Sequence, residues 1–296
     1  MTFLIGQTDA VAEDLAPGLY ESVVTEGLVA RLGAVDARLV RREQLRDADV
    51  ADRIAQVLAR QIMKALESVP QQDRVGVGVE VAHLLTQALQ ARLPRFDASV
   101  DHIVEPGELL TAIGELQLDD SVYFPPRPLT PLLDTALLAN APGEPRIDHQ
   151  LLREIQSADT IDLVMAFVRK SGLRRLMPAL KAHAEAGKPI RVLTTIYTGS
   201  TEGAALDQLT ELGASIRVSY DISSARLHAK AWLFHRRSAF STAYVGSSNL
   251  THSAHQGMEW NVRVSAARNQ DVINRIGAVF ESYWQSVDFV DYDPMQ

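Results

Sequence analysis

His228 and Lys230 stand two residues apart in Leu227-His228-Ala229-Lys230. They are followed by Gly246-Ser247-Ser248-Asn249 and then by Glu259-Trp260-Asn261. Within about thirty residues the chain thus carries an imidazole, an ammonium, a hydroxyl, an amide and a carboxylate. These groups suffice to hold a phosphodiester and attack it without a metal. An imidazole is a nucleophile toward phosphorus, and an ammonium beside it can hold a non-bridging oxygen. Ser247 and Asn249 offer neutral donors for the remaining oxygens. A carboxylate such as Glu259, bonded to one ring nitrogen of His228, would fix the tautomer and free the other nitrogen to attack.

Such roles need a strand. If Leu227 to Phe234 is one, side chains alternate faces, and His228, Lys230, Trp232 and Phe234 share a side. Trp232 and Phe234 then wall the pocket, while Ala229, Ala231 and Leu233 turn to the other side, where small residues suit close packing. Gly246 would let the backbone approach the site closely. Around this stretch the pattern alternates: a helix over Ile147 to Ser157, a buried strand over Ile161 to Val168, and a helix from Gly172 to Ala186 closed by Gly187. A strand from Ile190 to Tyr197, a helix from Glu202 to Leu212 and a strand from Ser215 to Tyr220 follow. Further strands are expected at Phe240 to Val245 and Met258 to Ser265, with a last helix over Val272 to Trp284. Strands and helices of this length alternating imply an α/β layer with parallel or mixed strands.

The first part of the chain has helical periodicity instead, over Gly18 to Val35, Asp49 to Glu67 and Val81 to Leu93, the last stopped by Pro94. Pro125, Pro126, Pro128, Pro131, Pro142 and Pro145 mark a connector. The expected organisation is a mostly helical domain over 1–122, a proline-rich connector over 123–146 and an α/β domain over 147–296.

With 296 residues and 46% hydrophobic content, the composition is that of a soluble globular protein. The absence of cysteine excludes disulfides and Cys-ligated metal sites, which fits a reducing cytoplasm. Asp9, Glu13 and Asp14 and the lack of a basic n-region do not resemble a signal peptide. The longest strongly apolar run is too short to span a bilayer. The net charge of −8 is unevenly spread, with −9 in residues 1–146 and +1 in residues 147–296. Arg169, Lys170, Arg174, Arg175, Lys181, Lys188 and Arg191 are opposed locally only by Glu185, so a basic surface able to meet phosphates is available. Equally, these cations can coat solvated helix faces.

The order His-x-Lys, Gly-Ser-x-Asn and a glutamate about ten residues on resembles the phospholipase D superfamily. Arg226-Leu227-His228-Ala229-Lys230-Ala231-Trp232-Leu233-Phe234 and Gly246-Ser247-Ser248-Asn249-Leu250 are similar to one branch in particular. That branch is the nuclease-like domain at the N-terminus of some bacterial superfamily II helicases and restriction-type proteins. Gly18-Leu19-Tyr20-Glu21 resembles the leader of the same branch. The resemblance implies a phospholipase D-like mixed sheet flanked by helices and a phosphohistidine intermediate. It implies His228 as nucleophile, Lys230, Ser247 and Asn249 as phosphate binders, and Glu259 as the orienting carboxylate. Arg226, Arg236, Arg237, Trp232 and Thr198 are further candidate substrate contacts.

Two departures stand out. The family places an aspartate five residues after the lysine, where this chain has His235; on a strand that residue points away from His228, so the change concerns packing. There is also only one His-x-Lys where the family uses two histidines, one as nucleophile and one as acid. A two-fold homodimer sharing the site would supply the second. The implied activity is a metal-independent phosphodiesterase, a nuclease acting on DNA, with no cofactor. The alternative is a phosphate-binding module that positions DNA for a helicase motor supplied by another chain, since no Gly-x-x-x-x-Gly-Lys-Ser/Thr occurs here. Nothing resembles a membrane-binding surface. A zinc reading of His228, His235, His252 and His255 lacks a metalloprotease glutamate. Thr198-Gly199-Ser200-Thr201 lies between a strand and a helix, where amides can cradle phosphate or simply turn the chain. Trp260 and Trp284 are expected in the core.

Overall fold

A computed structural model describes residues 15–139, 146–196, 199–220, 227–251 and 259–295. The chain divides into two compact units, Met1–Thr111 and Ala112–Gln296.

The described residues of the N-terminal unit form three α-helices, α1 (Glu26–Leu32), α2 (Asp47–Glu67) and α3 (Arg74–Arg92). The helix expected from Gly18 begins only at Glu26. Val23 and Val24 are β-branched and disfavour helix, and the Thr25 hydroxyl caps the helix by accepting from Leu28 N–H at 3.2 Å. Helix α3 starts seven residues before its expected beginning at Val81; Gly76 and Gly78 lower helix propensity there and hid the first turns. At Gly78 a side chain would meet Leu66 of α2, so the glycine lies against the neighbouring helix. Among this unit's described residues only Val79 and Ala98 are buried apolar side chains.

The C-terminal unit is the mixed α/β layer. Its elements are β1 (Glu115–Leu116), β2 (Val122–Tyr123), β3 (Ala136–Ala139), α4 (Ile147–Ser157), β4 (Thr160–Met165), α5 (Lys170–Leu173), α6 (Met177–Glu185), β5 (Ile190–Thr195), α7 (Gly203–Glu211), β6 (Ser215–Ser219), β7 (Lys230–His235), β8 (Thr242–Gly246), β9 (Trp260–Ser265), α8 (Ala266–Trp284) and β10 (Val290–Asp291). Strands β1 and β2 pair with each other alone. The other eight form one sheet in the order β10-β6-β5-β4-β7-β8-β9-β3, with β4, β5 and β6 parallel and the remaining pairs antiparallel.

Alternation along the strands produces two cores. On one face Ile161, Leu163, Met165, Val192, Trp232, Phe234 and Tyr244 pack under α4, α6 and α7. On the other, Val164, Leu193, Ala231, Leu233, Ala243 and Val264 pack under α8. The helix expected from Gly172 to Ala186 is broken into α5 and α6, with Pro178 in the first turn of α6. Gly187 and Gly213 follow α6 and α7 at φ +70 and +91, the left-handed conformation that ends a helix. Within 123–146, where the prolines suggest a connector, β3 adds an edge strand to the sheet by pairing with β9. Pro142 and Pro145 lie outside the described residues. Asp291, the last residue of β10, pairs with Arg217 of β6, and Tyr292 donates its hydroxyl to Asp207 at 2.9 Å.

Candidate active site

Strand β4 is the border of the sheet's two halves, parallel to β5 on one side and antiparallel to β7 on the other. Outside the carboxyl end of such a strand an open α/β sheet presents its ligand-binding crevice. Met165, the last residue of β4, pairs with Lys230, the first of β7. His228 therefore stands just beyond the ladder, although Ala229 O still accepts from Ala166 N–H at 3.2 Å. This places the imidazole in the open and the lysine stem inside: His228 is exposed and Lys230 buried. The Lys230 Nζ lies 2.9 Å from Nδ1 and 3.1 Å from Nε2 of His228, and 2.6 Å from its carbonyl. Burial pushes the Lys230 ammonium below the ordinary lysine value, and the Glu259 carboxylate opposes that shift. Trp232 continues the same face, buried and stacked on Phe234, and lines the floor.

The Gly246 to Leu250 segment closes the opposite wall. A Cβ on Gly246 would fall within 2.3 Å of Trp260 O and 2.5 Å of Asn261 Oδ1, so only glycine allows this approach. Ser247 Oγ donates to Glu259, which holds the two side chains as a pair. The Glu259 carboxylate is thus engaged with Ser247, while the His228 ring faces Lys230. Asn249 Oδ1 accepts from Phe167 N–H at 3.2 Å, which fixes the amide, and among the described residues its Nδ2 donates to no other group. Leu250 N–H donates to Phe167 O at 3.2 Å and Arg169 N–H to Leu250 O at 2.9 Å, so the two loops are zipped together.

Three residues that the sequence reading left without a role in the site complete the arrangement. The half-buried Phe167 ring meets His228 edge-on at 6.1 Å. Asn261, buried, donates to Ser248 Oγ at 2.7 Å. At Gly172 a Cβ would come within 2.1 Å of Leu250 C, so α5 rests directly on the Gly246 to Leu250 segment. In the sequence Gly172 reads only as the start of a helix, so nothing there marked this contact. Nothing marked Phe167, which lies some sixty residues before His228 in the chain.

Not every candidate joins them. Arg236, expected at a nucleic-acid backbone, is 8% exposed. Its guanidinium is taken up by Glu154, Ser157 Oγ, Thr242 Oγ1 and Phe240 O. Arg237, one residue on, is exposed and pairs with Glu115 and Asp159. Trp260, expected in the core, is 67% exposed, because α8 starts only at Ala266 and covers Val264 but not the far end of β9. Trp284 is partly buried and packs beneath Arg191 and Arg217. His235 faces away from His228 and bonds Asp162 at 2.7 Å; Asp162 in turn receives both arms of Arg191. Thr198, Arg226, His252 and His255 lie outside the described residues. Among those described, no three His, Asp or Glu side chains gather as metal ligands, and no helix is long and apolar enough to cross a membrane.

Met165, Lys230, Trp232, Tyr244, Asn249 and Asn261 enclose a cavity of about 20 Å3, room for roughly one water. Any group larger than a water would have to lie across the mouth, where His228 is exposed.

Residues 151–284 match the family model described as cardiolipin synthase, PLD-like domain. The match runs from within α4 to the end of α8, slightly less than half of the chain. Among solved structures, the chain is similar to the phospholipase D family member Nuc from Salmonella typhimurium. The identity is 19% over 54% of this chain and 99% of that one, with a TM-score of 0.42. For NucT from Helicobacter pylori the identity is 13%, with the same coverages and a TM-score of 0.44. For phosphatidylserine synthase from Haemophilus influenzae Rd KW20 it is 10% over 54% of this chain and 39% of that one, with a TM-score of 0.41. No curated protein matches the sequence.

Proposed function

We propose that the C-terminal unit is a phosphodiesterase that cleaves DNA without a metal ion, through a phosphohistidine, in a site shared by two protomers. The observation that carries this reading is the Lys230 ammonium within hydrogen-bond distance of both His228 ring nitrogens at an exposed strand end. A diester laid across the mouth takes the place of that contact, with Lys230 and Asn249 Nδ2 holding its non-bridging oxygens. A His228 ring nitrogen attacks phosphorus, forming a P–N bond as the P–O bond to the leaving nucleoside breaks. The His228 of a second protomer gives its proton to the leaving oxygen. That same imidazole then removes a proton from water, which attacks phosphorus and breaks the P–N bond. His228 is regenerated and a phosphomonoester leaves. The Glu259–Ser247 pair sets a negative charge near Lys230, which favours the protonated lysine this step needs.

Plasmid and oligonucleotides incubated with the chain in EDTA test this. Cleavage is expected to survive chelation and to vanish in His228→Ala, and the mass in solution is expected to be that of a dimer. Activity that needs a divalent ion, or cleavage by a strict monomer, would contradict the mechanism. Binding without cleavage would favour the DNA-positioning module instead.

A further inference from the structure

Seven cations lie between residues 169 and 191, and the fold commits four of them. Arg175 pairs with Asp148, Lys181 with Glu185, and Arg191 with Asp162 and Glu281, while Lys188 donates to the Ala158 carbonyl. Arg169, Lys170 and Arg174 remain exposed. Arg169 spends only its Nε, on the Ser200 carbonyl at 3.0 Å, which steadies the guanidinium and leaves its terminal nitrogens to solvent. The side chains of Lys170 and Arg174 make no hydrogen bond or ion pair among the described residues.

Of these, Arg169 and Lys170 follow Phe167 within three residues along the chain. Arg169 follows Phe167 by two residues, so their Cα atoms are at most about 7 Å apart. Phe167 itself touches the His228 ring. The zipped loops fix this row: Asn249 holds Phe167 N–H, and Leu250 O holds Arg169 N–H. The cavity behind Lys230 has space for about one water, so the interior selects nothing larger. Among the described residues, the mouth is flanked by this surface row, one aromatic ring followed by cations. A ring takes a base only when that base is free of its own stack, and cations take the phosphates that flank it.

We propose that Phe167, Arg169 and Lys170 form a subsite for the nucleotide next to the scissile phosphate, so that the substrate is a single polynucleotide strand rather than a duplex or a lone diester. This rests on reading the His228 site as a phosphodiesterase. The full chain is assayed in EDTA on bis(p-nitrophenyl) phosphate, on a single-stranded oligonucleotide and on the same sequence as a duplex. The double variant Arg169→Ala/Lys170→Ala is expected to lose at least about tenfold more kcat/KM on the strand than on the small diester. In a His228→Ala background, where binding is read without cleavage, the same changes should flatten the log–log salt slope for the strand by about 1.4. Phe167→Leu should weaken strand binding about tenfold and duplex binding much less. Equal losses on strand and diester, an unchanged salt slope, or a duplex handled as well as the strand would overturn the subsite. If the unaltered chain cleaves neither the strand nor the small diester, the phosphodiesterase reading fails, and the salt slope still decides the subsite.

Discussion

Lys230 is held in its charged form at a cost, because burial disfavours the ammonium and only the Glu259 charge offsets it. The unfolded chain binds this proton more tightly than the folded one, so the lysine's burden on stability shrinks as pH rises toward its ordinary value of 10.5. Lys230→Met keeps the stem and removes the charge. It should leave the melting midpoint unchanged or higher while lowering kcat by about 10²–10³-fold, the scale of losing one charge-stabilising donor. A parallel loss of fold and activity would show that the lysine is structural. For the same reason, activity should fall on the alkaline side below the pH at which a free lysine titrates. Neighbours in sequence can meet opposite fates, as Arg236 and Arg237 show. Sequence alone marked both as basic; which one faces Glu154 across the helix layer depends on register at the end of β7.

At the scale of elements, α4 is tied to the sheet by one carboxylate. Glu154, fully buried, accepts from Arg236, Arg263, Thr242 and Tyr244, on β8, on β9 and just beyond β7. Burial alone would push this carboxyl up; the guanidinium groups of Arg236 and Arg263 outweigh it and hold the carboxyl below its ordinary value. The stability it contributes is present above the unfolded carboxylate pKa and is lost as pH falls through the lower folded one. Glu154→Ala strands two buried guanidinium groups and should cost about 3–5 kcal/mol at neutral pH. Denaturant unfolding of the two proteins should then converge as the medium is acidified. Elements of this unit were legible because local periodicity and turn residues agree with the tertiary fold, as with Ile147–Ser157, whose bounds match the sequence reading. Short edge strands such as β3 and β10 were not legible, since a few residues carry no usable period and only pairing defines them. The His-x-Lys and Gly-Ser-x-Asn pieces were visible for their chemistry. Phe167 and Gly172 came to light only through contacts across the sheet.

The two units differ in how much apolar surface they bury. The C-terminal unit has a core on each face of its sheet, whereas the described part of the N-terminal unit buries only Val79 and Ala98. Amide hydrogen exchange should therefore be slow in β4, β5 and β7 and much faster in α2 and α3. Comparable protection in both units would contradict this. Within that pattern the zipped loops gain a second meaning. The amides of Phe167, Arg169 and Leu250 each donate across the seam that sets the distance between His228 and Asn249. Their exchange rates measure how often that seam opens, and so give a clock for the site's lifetime in its assembled form.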